Sequence, residues 1–500
     1  MSWLDNLVGF VSPKWGYERE AWKQGLDELR SSYDAGNYRN TNANWRTLNQ
    51  SAEMTDRFSR DTIRARTRDL ERNSDMLNSV TSAFKRNVVG AGYCLQSKTE
   101  NEEVNKQLEK LWLRWCKKKN CDVTGTQSFN QIIRMAVNRK KVDGGIIILK
   151  RYTDQGFIPF QMQLIEVDEL DNSCMEAKDP KNKVVGGIEF NSYNRPVGYY
   201  IRQYSLDGFL INEPVYIEAK DVIFYYTKKR PSQLREMSDL TPTVTRIRDT
   251  NEFMNAVSVK ERIAACLAVF IKRVNPAGGT YGRSGEARKD YGTKNLTPGM
   301  IQMLNAGDEI DVVNPSGQAS DAARFVQLHQ RLIGAGQGIS YEATSRDMSQ
   351  SNYSSARQGC IEDNLTYTEE IELLIEVMDE IYETFVISCV LAGKVSIKDF
   401  WDNKEKYLEH EWIHAPKPWI DPLKEANANR IALETGQKTF KQIAAENGKD
   451  WREQIDEMAE VFEYAESKGI DLKGVIFNNA ETTENIKELL EDESAGREKE

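Results

Sequence analysis

After Ser351 the residues Ile361, Leu365, Ile371, Leu374, Ile375, Met378, Ile381, Phe385 and Cys389 recur at threes and fours, the period of one buried face of an α-helix. That spacing commits this part of the chain to a long amphipathic helix seated on a core. The preceding stretch, ISYEATSRDMSQSNYSSARQG (residues 339–359), has no such period. In it Ser349, Ser351, Ser354 and Ser355 offer hydroxyls that can cap the helix, while Arg346 and Asp347 favour water over core. A solvated connection between helices is the plain reading, because most polar loops merely connect. A polar loop on a stiff helical post is also well placed to touch a ligand.

Five hundred residues at 39% hydrophobic content can bury a sizeable core, and the length suggests two to four structural units. No apolar run approaches the ~20 residues that span a bilayer. The start, MSWLDNLVGFVSPKWGYERE, lacks the basic residues and cleavage site of a secretory signal. Seven cysteines without a CxxC pair argue for reduced thiols. Cys116 and Cys121 have no partner pair at zinc-ligand spacing, so no structural zinc is expected there. The net charge of −10, from 77 acidic and 67 basic residues, has the wrong sign for gripping nucleic acid by phosphate neutralisation.

Residues 1–55, rich in Trp, Tyr, Asn and Ser without a clear period, read as an arm. Residues 56–90 read as helical up to the glycines of VVGAG. The five arginines from Arg60 to Arg72 read as a solvated helix face offset by Asp61, Asp69 and Glu71, with a phosphate-binding surface as the weaker alternative. Two further helices are expected over 102–119 and 129–141. Strands follow at GGIIILKR (144–151), FQMQLIE (160–166), VVGGIEF (184–190), VGYYIRQY (197–204) and VIFYY (222–226). Together they describe an α+β domain on a mainly antiparallel sheet.

Thr241 as cap and Pro242 in the first turn predict a helix running to about Val274, where NPAGG stops it. Some 33 residues at 1.5 Å rise give a rod of roughly 50 Å. Polar residues all round it leave a narrow apolar stripe, suited to packing sideways against copies of itself. Between 275 and 320 lie short apolar runs with turns and a basic cluster, Arg283, Arg288, Lys289 and Lys294, which reads equally as a solvated loop or as a contact for an acidic partner or DNA. Helix returns over 321–334. The last residues are mostly acidic and read as a frayed tail.

His410-Glu411-Trp412-Ile413-His414 fits HExxH, in which two histidines one helical turn apart bind zinc beside a glutamate base. Ala415-Pro416-Lys417-Pro418 follow at once, and proline disfavours helix before it, so the segment is expected to be extended, its histidines nearly 13 Å apart at ~3.3 Å per residue. Gly334-Ala335-Gly336-Gln337-Gly338 lacks dinucleotide-loop spacing and reads as a kink or turn. There is no GxxxxGK[ST], no GxSxG elbow, and only three histidines to serve as general bases.

Tyr341, Glu342, Asp347, Ser349 and the run Asn352-Tyr353-Ser354-Ser355-Ala356-Arg357 resemble the hallmark of the lambda-type portal proteins of tailed bacteriophages. Arg64-Ala65-Arg66-Thr67-Arg68-Asp69-Leu70 with Val88-Val89-Gly90, the Asn194–Tyr200 turn and strand, Arg230–Arg235 and residues 417–451 are similar to further landmarks of that family. One departure is Glu236, where the family usually has glycine. The resemblance implies a portal-like α+β subunit assembled as a cyclic ring. Its expected parts are arm 1–55, α+β wing 56–239, stem helix 240–274, small α/β clip 275–320, second stem helix 321–340, channel loop 341–355, long helix and wing return 356–420, helical crown 421–480 and acidic tail 481–500.

It further implies a non-enzymatic ring of about twelve copies at one capsid vertex of the virion, assembled in the host cytoplasm, with no cofactor, metal or membrane. Double-stranded DNA would pass through it without sequence readout, repelled by copies at −10 each. The implied partners are the large terminase subunit, major capsid and scaffolding proteins, and head–tail adaptors. Arg346, Asp347, Ser349, Gln350 and Asn352 would line the channel, and Arg283, Arg288, Lys289 and Lys294 would dock terminase or adaptor. The alternatives are a zinc metallopeptidase through His410, Glu411 and His414, or a generic oligomeric helical scaffold.

Overall fold

The run Ile146–Leu149 is apolar at every position because both its faces are covered, which is the condition for a continuous rather than alternating hydrophobic strand. Ile146 and Ile148 enter one core, Ile147 and Leu149 another, as the two-residue period of a strand requires. The computed structural model describes residues 12–30, 44, 47–209, 213–265, 269–273, 308–312, 319–415, 422–470 and 472. The basic cluster expected at 283–294 and the tail expected at 481–500 lie outside these residues.

The described strands are β1 (Tyr93–Ser97), β2 (Gly145–Tyr152), β3 (Phe160–Ile165), β4 (Lys183–Val185), β5 (Ile188–Phe190), β6 (Pro196–Ile201), β7 (Val215–Glu218), β8 (Val222–Tyr226), β9 (Val269–Arg273), β10 (Asp308–Val312) and β11 (His410–His414). They form antiparallel sheets ordered β3-β2-β8 and β4-β5-β6-β7, with two-stranded pairs β1-β11 and β9-β10. With many helices beside these small sheets, the architecture is α+β. The expected strand 184–190 is in fact a hairpin. Gly186 and Gly187 take φ of 57° and 80°, and two successive left-handed residues are what a two-residue hairpin turn demands.

The chain divides into two units, Met1–Thr55 and Asp56–Glu500. In the first, the helix Pro13–Arg30 carries exposed Trp15, Tyr17 and Trp22. In the second, residues 56–90 are not one helix. Ser74 is extended and accepts a hydrogen bond from the Leu77 amide, separating the helix Arg60–Asn73 from Asp75–Phe84, and a π-helical turn follows at Lys85–Val89. The helices Glu102–Trp115 and Phe129–Asp143 supply Trp112, Trp115 and Phe129 to the main core. Tyr382 and Phe385 join them from the helix Tyr353–Leu391, with ring centroids 5.8 and 5.1 Å from Trp112. That long helix is present as its spacing predicts, but Ile361 and Leu365 in its N-terminal half are exposed.

Arg60–Arg72 is neither a solvated face nor a phosphate surface throughout. Arg66 and Arg72 are exposed, but Arg60 and Arg64 are buried and Arg68 is half-buried. The Arg60 Nε donates to the Glu236 carbonyl at 3.0 Å. Arg64 pairs with Glu236 at 3.0 Å and Asp168 at 2.9 Å, and Arg68 with Asp143 at 2.7 Å and Asp168 at 2.6 Å. Arg235, also buried, grips Glu236 at 2.7 Å. Glu236, the departure from the family's glycine, thus accepts from three buried arginines, Arg64 and Arg235 at its carboxylate and Arg60 at its backbone carbonyl.

The helix expected from Thr241 onward is shorter than its spacing suggests. It begins at Val244, not at Pro242, and ends at Ala265. Val269–Arg273 is a strand paired with Asp308–Val312. Periodicity could not separate these outcomes, because a short apolar run such as LAVFI suits either state until a distant partner strand fixes it. A neighbour of this helix lies within the same chain. The helix Ala319–Gln337 packs beside it in the same chain, with Phe253 and Phe325 centroids 4.4 Å apart and Thr250 Oγ1 2.9 Å from His329 Nδ1.

Candidate functional site

Helix Ala319–Gln337 ends at Gly338, whose φ of 70° turns the chain, while the Thr366 hydroxyl donates to the Gly338 carbonyl at 2.6 Å. Gly334 and Gly336 stay inside the helix, so the turn falls on the third glycine alone. Ser340 then caps a short helix, Tyr341–Ser345, where the sequence pattern predicts only loop. Its hydroxyl accepts from the Ala343 amide at 3.2 Å and donates to Asp363 at 2.7 Å, and its own amide donates to Asp363 at 2.6 Å. The long helix therefore holds the start of the candidate loop in place.

Arg346 closes the short helix in the left-handed conformation, φ 60°, its amide donating to the Glu342 carbonyl. The next residues fold on themselves. The Ser349 amide donates to Asp347 at 3.0 Å and the Tyr341 hydroxyl donates to the same carboxylate at 3.2 Å. Hydrogen bonds from Ser349, then from Tyr341, hold the Asp347 carboxyl below its ordinary range. The Ser351 hydroxyl donates to Glu342 at 2.7 Å.

Asn352 caps the long helix, its side chain accepting from the Ser355 amide at 2.8 Å while Ser355 Oγ accepts from the Asn352 amide at 3.1 Å. The cap is thus an Asn/Ser box, not one of the four serines alone. Arg346, Ser349, Gln350 and Asn352 are exposed and Asp347 is half-exposed. These five residues come together on one polar turn. Sequence did not single out Ser340, Asp363 or Arg331, whose guanidinium lies 5.3 Å from the Tyr341 ring centre; of these only Ser340, three residues before Ala343, carried a local signal as a cap.

His410–His414 is the strand β11, antiparallel to β1 with Trp412 opposite Leu95. His410 Nε2 lies 2.9 Å from Asp379 Oδ1 and Nδ1 2.7 Å from the Leu408 carbonyl. His414 Nδ1 lies 2.7 Å from the Ala415 carbonyl and Nε2 3.1 Å from the Val88 carbonyl. Every ring nitrogen faces an oxygen acceptor, so none directs a lone pair at a shared metal, and the extended backbone separates the histidines as expected. Among the described residues no helix is long and apolar enough to cross a membrane.

The model of the family described as "Phage portal protein, lambda family" matches residues 38–370. The probable portal protein of Halomonas phage phiHAP-1 is 24% identical over 78% of this chain and 78% of its own. Portal protein B of Escherichia phage lambda is 19% identical over 86% and 88%, and the portal protein of Escherichia phage N15 is 21% identical over 82% and 85%. Among solved structures, chains from the virion of a native gene transfer agent particle and from the neck of an empty one align with 77% of this chain and 93% of theirs, at 12% identity and TM-scores of 0.41 and 0.42. Portal proteins are structural components of the virion rather than enzymes. This chain belongs to the lambda family of phage portal proteins.

Proposed function

We propose that the chain assembles into a ring of twelve copies at one capsid vertex, forming the channel through which double-stranded DNA enters during packaging and leaves at ejection. The observation that carries this reading is the self-bonded turn 346–352, held between two helices at the end of a paired-helix stem and presenting polar side chains outward. Such a turn contacts a duplex without reading its bases. Ring formation is supported by the stem itself, which leaves Met254, Val259, Phe325, Leu328 and Leu332 exposed and forms a groove of about 410 Å³ lined by Phe253, Val257 and Val326. An apolar stem of that kind is covered when identical copies pack side by side in a closed cycle.

On this reading the wing meets major capsid and scaffolding proteins. The 275–320 segment docks the large terminase subunit and later head–tail adaptors, with Arg283, Arg288, Lys289 and Lys294 as the contacts. The motor belongs to another chain. Negative-stain class averages together with solution mass test the ring: twelve subunits around a hole wide enough for a ~20 Å duplex is the expected result, and a compact monomer in the presence of scaffold is the opposite one. Deletion of Thr344–Ser351 tests the loop, since rings should persist while DNA retention falls.

A further inference from the structure

The three histidines are not alike. His410 and His414 set every ring nitrogen against an oxygen acceptor, whereas the half-buried His329, on the helix Ala319–Gln337, engages one nitrogen only. Thr250 Oγ1, buried on the facing helix Val244–Ala265, donates its single proton to the Arg246 carbonyl at 2.7 Å. It therefore meets His329 Nδ1, 2.9 Å away, as an acceptor. That fixes the neutral ring with its proton on Nδ1 and a lone pair on Nε2. Nε2 has no hydrogen-bond partner among the described residues.

The surroundings of this imidazole are apolar. One turn away on its own helix stand Phe325, Val326, Leu332 and Ile333, and Phe325, Leu328 and Leu332 are exposed in the protomer. The rings of Phe253, Phe325 and His329 follow one another across the two stem helices, with successive centroids 4.4 and 4.1 Å apart. Around Thr250 the positions three and four residues away are Arg246, Ile247, Phe253 and Met254, with no carboxylate among them. Arg248, Asp249 and Glu252 line instead the cavity toward the helix Arg60–Asn73, and Arg248 pairs with Glu252 at 2.7 Å. Arg324 and Arg331 are the other cations of the His329 helix, and on the short helix packed against it Glu342 accepts from Ser351. A proton added at Nε2 finds no counter-ion among these groups.

We propose that His329 is a proton switch for ring assembly: neutral, it lies within the stem contact between copies, and protonated, it loosens that contact. The inference rests on the ring reading above and adds its regulation. Covering a neutral imidazole with apolar surface leaves one hydrogen bond unmade, whereas covering an imidazolium without a counter-ion is opposed by the far larger loss of its hydration. The proton therefore binds better to the separated subunit than to the ring, and ring stability falls as pH falls. Histidine is the side chain whose charge changes between about pH 5 and 8, and a closed ring repeats that change at every contact.

The test uses the full chain and reads, by mass photometry, the subunit concentration at which half the protein is in rings, at about pH 8 and about pH 6. In the wild type this concentration is expected to rise about tenfold on acidification, the effect of one linked proton over a pH unit. His329→Asn, whose amide still donates to Thr250 and cannot ionise, should show no such rise, and His329→Gln serves as a second neutral variant. His329→Lys, a permanent cation, should form rings poorly even at the higher pH while the circular dichroism and unfolding temperature of the protomer are kept. Wild-type rings equally stable at both pH values, the wild-type rise in both neutral variants, or normal rings of the lysine variant would each overturn the switch and leave the ring reading intact. A wild-type chain that forms no ring at either pH would reject the ring reading itself, and the switch with it.

Discussion

Arg64 and Glu236, separated by 172 residues in sequence, meet at 3.0 Å inside the protein. With Arg60 and Arg235 on the same glutamate, the pair ties the helix Arg60–Asn73 to the segment that leads into the helix Val244–Ala265. A buried carboxylate is tolerated only when paired and hydrogen-bonded. Removing one partner leaves the other charges stranded.

Glu236→Gln is therefore expected to destabilise the protomer by about 3–5 kcal/mol, the usual consequence of breaking a buried ion pair from one side. A urea titration reads it directly as a lower midpoint at unchanged slope. An unshifted midpoint would mean that Arg64 and Arg235 are satisfied without the carboxylate.

The same residue sets a pH dependence. Burial opposes the Glu236 charge, but Arg235, Arg60 and Arg64 outweigh it and hold the carboxyl below its ordinary 4.5. Burial likewise opposes Asp239, which Lys141, Lys140 and Lys229 pull below 3.8. A depressed carboxylate stabilises fully above its unfolded value, and that stabilisation is lost as pH falls through the folded one. The urea midpoint should thus hold steady down to about pH 5 and then drop toward pH 3, and the drop should be shallower in Glu236→Gln.

His410→Ala separates a structural histidine from a metal ligand. Its imidazole bridges Asp379 and the Leu408 carbonyl, and Trp412 Nε1 donates to the same Asp379 oxygen at 2.7 Å. Losing the bridge should cost about 1–3 kcal/mol without changing metal content. Elemental analysis giving one zinc per wild-type chain and none in the variant would contradict this.

On the ring reading, Leu328 of the second stem helix, 53% exposed in the protomer, is covered by a neighbouring copy. Leu328→Asp places a charge in that contact and should shift the solution mass to smaller species while the circular dichroism of the protomer is kept. Intact rings in this variant would move the subunit contact to another face of the stem.

Local physics was legible in the sequence. The 3.6-residue period announced the long helix that Leu374, Met378, Ile381 and Phe385 now anchor. The prolines after His414 announced an extended HExxH, and β-branched runs announced β2, β3, β6 and β8. Each of these follows from residues a few positions apart, where sequence spacing and spatial spacing agree.

Tertiary structure decided the rest, because a distant partner was needed in every case. Whether Val269–Arg273 is helix or strand depends on Asp308–Val312. Whether Arg60 and Arg64 face water or Glu236 depends on a segment more than 170 residues further on. The candidate turn shows both halves of this division: Asn352 and Ser355 declare the cap locally, while the bonds of Ser340 to Asp363 exist only because the long helix packs against the start of the turn. Charge has no period, so its partners are fixed by packing alone.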